Sequence, residues 1–153
     1  MGLTRIIFLS IFCFSTAALS YPSRLDLSEL NGIKPLNEEN TLSNFSGKKE
    51  KLLYFWATWC DVCKSKLTTV FKKDSLYSKY DVYLVATDQD LKKVEHLQKK
   101  LDLKKYVVVD SDRKLQNKFE IYGVPTVIRL APEGEQFVVK AFQTGGEIEA
   151  LIQ

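Results

Sequence analysis

The sequence predicts an α/β fold in which one mixed central sheet is covered by helices on both faces. Three observations lead there. Short apolar, strand-like runs alternate with amphipathic, helix-spaced stretches from Leu52 to Val109, and two further strands joined by a glycine-containing turn follow them. Between the first strand and the first helix stands Trp59-Cys60-Asp61-Val62-Cys63, two cysteines separated by two residues. A chain of 153 residues, 45% hydrophobic and 12% aromatic, suits one globular domain with an adequate core.

The N-terminus has a different composition. Arg5 is the only charge in the first 20 residues, and residues 6–14 are almost unbroken in apolarity. Ala18 and Ser20 offer small side chains at the −3 and −1 positions of a cut before Tyr21. Residues 1–20 are therefore predicted as a secretory signal peptide; the apolar run is short for a membrane span, and an uncleaved anchor is the alternative. Cys13 follows bulky Phe12, which argues against lipoprotein cleavage. Cleavage after Ser20 leaves Cys60 and Cys63 as the only cysteines, which concentrates the redox chemistry of an exported chain there. Residues 21–41, with Pro22 and Pro35, read as an extended lead-in with room for one edge strand. The folded domain is predicted over 42–153, opening on a turn or short helical segment at 41–47.

Leu52-Leu53-Tyr54-Phe55-Trp56-Ala57 is apolar throughout, as a buried strand requires. Cys63, Leu67, Val70 and Phe71 then fall at i, i+4, i+7 and i+8, one face of a helix with lysines around it. Asp81-Val82-Tyr83-Leu84-Val85-Ala86 is the second strand. Residues 88–103 form an amphipathic helix burying Leu91, Val94, Leu97 and Leu101. Tyr106-Val107-Val108-Val109 is a short β-branched strand. Ser111 or Asp112 is placed to cap a brief helix that buries Leu115 and Phe119. After Gly123-Val124-Pro125-Thr126, strands at 127–130 and 136–142 make a hairpin around Gly134, and 146–152 supplies a final helix.

The cysteine pair thus sits at a strand-to-helix junction with Cys60 at the helix N-terminus. Unpaired N–H groups and the positive end of the helix dipole favour a thiolate there. A two-residue spacer in that geometry lets the second sulfur reach the first and close a disulfide. A redox site is the expected reading, and a purely structural disulfide is the alternative. Zinc usually needs two more Cys or His ligands, and His96 is the only histidine. Haem attachment of the C-x-x-C-H kind needs a histidine where Lys64 stands. The formal charge of +3 is small, with 22 Lys and Arg spread among 19 Asp and Glu, and neither a nucleic-acid patch nor a polybasic membrane segment stands out.

With these motifs in place, the chain resembles the thioredoxin superfamily, and more closely its exported TlpA/ResA-like thiol-disulfide oxidoreductases. Phe55-Trp56-Ala57-Thr58-Trp59-Cys60 looks like their strand-to-active-site signature. Gly123-Val124-Pro125-Thr126 resembles the loop that holds their cis-proline, and 88–109 lies where they insert a helix-strand unit. The resemblance implies a thioredoxin fold with that insertion and an N-terminal extension, acting as an oxidoreductase. It implies Cys60 as the exposed attacking thiol, Cys63 as the buried resolving thiol, and a substrate surface made by Trp59, Val124 and Pro125. It also implies protein thiols and disulfides as partners, a membrane thiol-disulfide electron donor, and no cofactor, metal or nucleic acid. A thioredoxin-fold binding or chaperone-like module with a structural disulfide is the competing reading.

Several residues depart from the family pattern. Val62 replaces a frequent proline; Tyr54 stands six residues before Cys60, where thioredoxins have aspartate; Lys66 stands where TlpA/ResA-like proteins often have glutamate. Both usual proton acceptors for the resolving thiol are thereby replaced. Lys66, one turn beyond Cys63, is expected to favour its thiolate unless it is a plain surface lysine. Asp61 opposes a thiolate at Cys60 by roughly 0.7–3 kcal/mol at about 6 Å, before Lys64 and screening offset it, a slight lean toward a reductant. His96 reads as a solvent-facing helix residue.

Overall fold

The computed structural model describes residues 48–103, 107–134 and 136–152, and the backbone of two short strands ahead of them, β1 (Arg24–Asp26) and β2 (Lys34–Pro35). The domain continues through β3 (Lys51–Trp56), α1 (Asp61–Thr69), α2 (Asp74–Lys79), β4 (Asp81–Ala86) and α3 (Leu91–Lys100). It ends with β5 (Val107–Val109), α4 (Lys114–Lys118), β6 (Thr126–Glu133), β7 (Gln136–Thr144) and a 3₁₀ turn, Ile148–Leu151. All seven strands form one sheet in the order β1-β7-β6-β3-β4-β5-β2. β3, β4 and β5 run parallel, while β6, β7, β1 and β2 each pair antiparallel with their neighbours. This is the mixed, helix-covered sheet that the sequence predicts, with α3 and β5 as the helix-strand insertion.

β3 is buried over its whole length, and its two faces feed two cores, because strand side chains alternate with a period of two. Leu52, Tyr54 and Trp56 pack with Cys63, Leu67, Phe71, Val94 and Ile148. Leu53 and Phe55 pack on the other side with Leu115, Phe119, Ile128 and Phe137. Phe71 stacks on Tyr54 with ring centroids 4.2 Å apart, and Phe119 meets Phe55 edge-on at 6.4 Å. Helices α1 and α3 and the 3₁₀ turn therefore seal one face, and α4 seals the other.

The structure corrects several expected elements. The cysteine helix stops at Thr69: Val70 and Phe71 both donate to the Lys66 carbonyl, at 2.9 and 3.1 Å, and the chain turns into α2, which the sequence reading left out. Val70 and Phe71 are still buried, so the apolar spacing marked the core correctly and the helix end wrongly. Helix α3 begins at Leu91 instead of residue 88, because Asp90 caps it through the N–H groups of Lys92 and Lys93. Leu91 is then the first helical residue and stays 48% exposed, outside the predicted apolar stripe. At α4 neither Ser111 nor Asp112 dominates the cap. Buried Asp110 accepts from Leu115 N at 3.1 Å and Gln116 N at 2.9 Å, while Asp112 accepts from Lys114 N at 3.3 Å and pairs with the Lys114 ammonium at 3.1 Å.

The lead-in supplies two edge strands where one was expected, at opposite edges of the sheet. The final helix is a single 3₁₀ turn: it follows Gly145 at φ +106° and Gly146, and Glu147 gives it no side-chain cap. The signal segment and the 41–47 turn lie outside the described residues, as do Tyr106 and Glu135. No helix among the described residues is long and apolar enough to cross a membrane.

Leu67 is fully buried where α1 meets β3. Leu67→Ala is expected to lower the unfolding free energy by about 2–5 kcal/mol, the usual cost of a buried leucine cavity, in urea melts of the oxidised protein.

Candidate active site

β3 ends at Trp56, and a tight turn in which Cys60 N donates to Ala57 O at 3.1 Å delivers Cys60 to the start of α1. Cys60 is the N-cap residue, with extended φ/ψ of −90° and 103°. Its sulfur takes the place that a Ser, Asp or Asn oxygen usually fills, and accepts the backbone N–H of Cys63 at 3.1 Å. Cys60 and Cys63 close a disulfide with Cα atoms 5.2 Å apart. Cys60 is 8% exposed and Cys63 is fully buried. The expected order of exposure is present, although Cys60 is more covered than an exposed attacking thiol suggests.

The loop before the cysteines is fixed by a carboxylate that the sequence reading assigned to a helix start. β3 and β4 run parallel with Trp56 opposite Ala86, so the residues just past each strand emerge side by side. Asp88 accepts from Thr58 N at 2.9 Å and from Thr58 Oγ1 at 2.5 Å, holding the loop with both oxygens. An aspartate two residues past a strand end was the available signal, and helix capping competed for it.

From the other side, Phe55 pairs with Thr126 at the start of β6, which places the 123–125 loop beside the motif. Val124-Pro125 is a cis peptide. The Val124 carbonyl oxygen lies 3.9 Å from Cys60 Sγ. Thr126 Oγ1 donates to Gly123 O at 2.7 Å, and Gly145 N donates to Pro125 O at 2.9 Å, so the loop is tied at both ends. Trp59, 71% exposed, and Val124 wall a groove of about 110 Å³ with Thr87, Gln116 and Tyr122. Tyr122 is 92% exposed, a whole aromatic ring held in water beside the disulfide, and the sequence reading passed over it. Trp56, by contrast, is core.

Charges around the pair neutralise one another. Asp61 and Lys64 are 2.5 Å apart, and the lysine holds the Asp61 carboxyl below the usual carboxylate range. Lys66 is no plain surface lysine: it pairs with Glu149 of the 3₁₀ turn, and this holds Glu149 below its ordinary value. The expected lone cation near Cys63 is therefore an ion pair. Tyr54, in the position where thioredoxins carry aspartate, is fully buried and donates its hydroxyl to the Cys63 carbonyl at 3.2 Å. Burial, and then the Glu149 charge, push its phenol pKa up, so it stays a hydrogen-bond donor at neutral pH. Among the described residues no group of three or more His, Cys, Asp or Glu side chains is placed to hold a metal ion.

The chain matches known proteins along most of its length. Residues 38–153 match the family model of the thioredoxin-like domain. The chain belongs to the thioredoxin-like family. It is 31% identical over 113 residues to the thiol-disulfide oxidoreductase ResA of Bacillus subtilis, an alignment covering 72% of this chain and 61% of that protein. It is 26% identical over 165 residues to ResA of Bacillus cereus, covering 99% and 94% of the two chains. Among solved structures, StoA from Bacillus subtilis superposes with a TM-score of 0.57 at 26% identity, covering 68% of this chain and 80% of that one. A secreted Mycobacterium tuberculosis disulfide oxidoreductase shares the fold, with a TM-score of 0.56 at 16% identity over 67% and 73% of the two chains. The fold is that of the thioredoxin-like family, and the cysteine pair stands at the start of its first long helix.

Thr58→Val keeps the side-chain shape and removes one of the two bonds to Asp88. A charged acceptor left short of a donor in a covered site costs about 1–3 kcal/mol, expected as an equal loss of unfolding free energy in denaturant titration.

Proposed function

We propose that the chain is an exported oxidoreductase that passes two electrons between Cys60–Cys63 and disulfides of other proteins. The observation that carries the reading is Cys60 Sγ at the N-cap of α1, accepting the Cys63 N–H, with the more buried partner sulfur one turn inside. A helix N-terminus stabilises an anion by about 0.3–1 kcal/mol, up to about 2 when partly buried, which favours a thiolate there.

In the dithiol form the Cys60 thiolate attacks one sulfur of a substrate disulfide. A mixed disulfide forms and the other substrate sulfur leaves as a thiolate. Cys63 then loses its proton and attacks Cys60 Sγ, and the second substrate thiolate departs. The substrate gains two electrons and the pair returns to the disulfide. An extended substrate segment would lie along Val124, next to Pro125 and between Trp59 and Tyr122, with strand-like bonds to the Val124 backbone. Asp61 beside Cys60 supports a lean toward reduction, and its pairing with Lys64 keeps that lean slight.

Electrons would come from a membrane thiol-disulfide donor, and substrates would include apocytochrome c cysteines or wrongly paired exported proteins. Residues 1–20 would direct export, cleaved or retained as an anchor, and 21–41 would form the extension before a domain at 42–153.

Two measurements test the exchange. In the reduced native protein Cys60 alone should react quickly with an alkylating reagent, and equal labelling of both cysteines contradicts the roles. Cys63→Ala should accumulate mixed disulfides through Cys60 that collapse on adding reductant; no adducts while Cys60 is reduced would sink the reading. Tyr122→Ser should slow exchange with peptides carrying an aromatic residue beside the disulfide by about 5-fold, the value of one aromatic contact, and leave reaction with a small dithiol unchanged.

A further inference from the structure

A second groove borders the cysteine loop at Thr58. It is a shallow, open depression of about 390 Å³ between Thr58 and one face of α3, lined by Thr58, Lys92, Lys93, His96 and Leu97. Thr58 precedes Cys60 by two residues, so their backbones are at most about 7 Å apart. The Asp88–Thr58 bonds hold that wall in place and occupy the Asp88 carboxylate, and Asp61, the residue after Cys60, is paired with Lys64. What remains facing the groove is cationic over an apolar floor. Helix α3 carries four lysines against one glutamate. Lys92 makes no ion pair among the described residues, and Lys93 has only Asp90 at 3.6 Å, both largely in water.

From this charge complementarity we infer that the α3 groove receives an acidic stretch of the polypeptide whose disulfide is exchanged at Cys60. The inference rests on the proposed exchange reaction and names its substrate class: protein segments with Asp or Glu near the target cysteine. Such a segment has its sulfur at Cys60, uncharged residues along Val124 and Tyr122, and carboxylates over Lys92 and Lys93. A cationic wall beside the reacting sulfur raises the local concentration of acidic substrates, and salt removes the effect.

The test uses the reduced full chain and three peptides with the same internal disulfide, flanked by aspartates, asparagines or lysines. Second-order exchange rates are read by stopped-flow tryptophan fluorescence. At about 0.01 M salt the aspartate peptide should react roughly tenfold faster than the lysine peptide, and the difference should fall below about twofold at about 1 M, where the Debye length is about 3 Å. Lys92→Glu/Lys93→Glu, which places acids favourably in the first turn of α3, should reverse the order at low salt. Equal rates for the three peptides, or an order that survives the charge reversal, overturn the inference while exchange with the asparagine peptide keeps the oxidoreductase reading standing. No exchange with any peptide removes both. Sedimentation of the chain with anionic phospholipid vesicles, lost on charge reversal and accompanied by equal peptide rates, assigns the groove to a membrane surface and overturns the proposal.

Discussion

The geometry of the active-site end depends on the burial of β3 on both faces. A six-residue strand with no solvent-facing side must have a strand on each edge and helices above and below. β4 runs parallel to it and β6 antiparallel. The exits of β3 and β4 and the entry of β6 therefore meet at one end of the sheet. Cys60, Asp88 and Val124 come from three distant parts of the chain and arrive there together because of strand direction alone.

Much of this was legible in residue patterns. Leu52-Leu53-Tyr54-Phe55-Trp56 announces a doubly buried strand, the spacing of Cys63 and Leu67 announces the helix face, and Gly123-Val124-Pro125-Thr126 marks the facing loop. What stayed hidden was set by contacts across long sequence separations. Asp88 has the composition of a helix-start residue, and only the parallel register turns it toward Thr58. Tyr122 looks like another aromatic of the core, yet its neighbour Ile121 takes the buried place and leaves the ring in water. The end of α1 depends on which carbonyl Phe71 finds, a choice made by packing on Tyr54 and not by propensity.

The surroundings of Cys63 follow a similar logic. Tyr54 stands at one position where relatives carry an acid, and Lys66 at the other, but the 3₁₀ turn returns a carboxylate to that side of α1. Glu149 meets Lys66, and its charge is also felt at the Tyr54 hydroxyl. Glu149 lies 83 residues beyond Lys66 in sequence, so no local motif could have announced it. The buried sulfur therefore has a phenol donor on its own backbone carbonyl and a closed ion pair one turn along the helix.

The outermost strands of the sheet have a separate consequence. β1 offers three residues and β2 two, and one of those two is Pro35, which has no N–H to give. Margins so short are poor templates for another chain to extend. Under the proposed exchange reaction the chain would meet extended, strand-like partners, each itself a candidate for runaway pairing, and that protection would count. β1 covers Gln136–Val138 of the nine-residue β7, and β2 covers Val108 and Val109 of β5, so the lead-in blunts part of each margin. In that proposed reaction an extended polypeptide pairing with the backbone beside Cys60 would bring its sulfur to the reacting one.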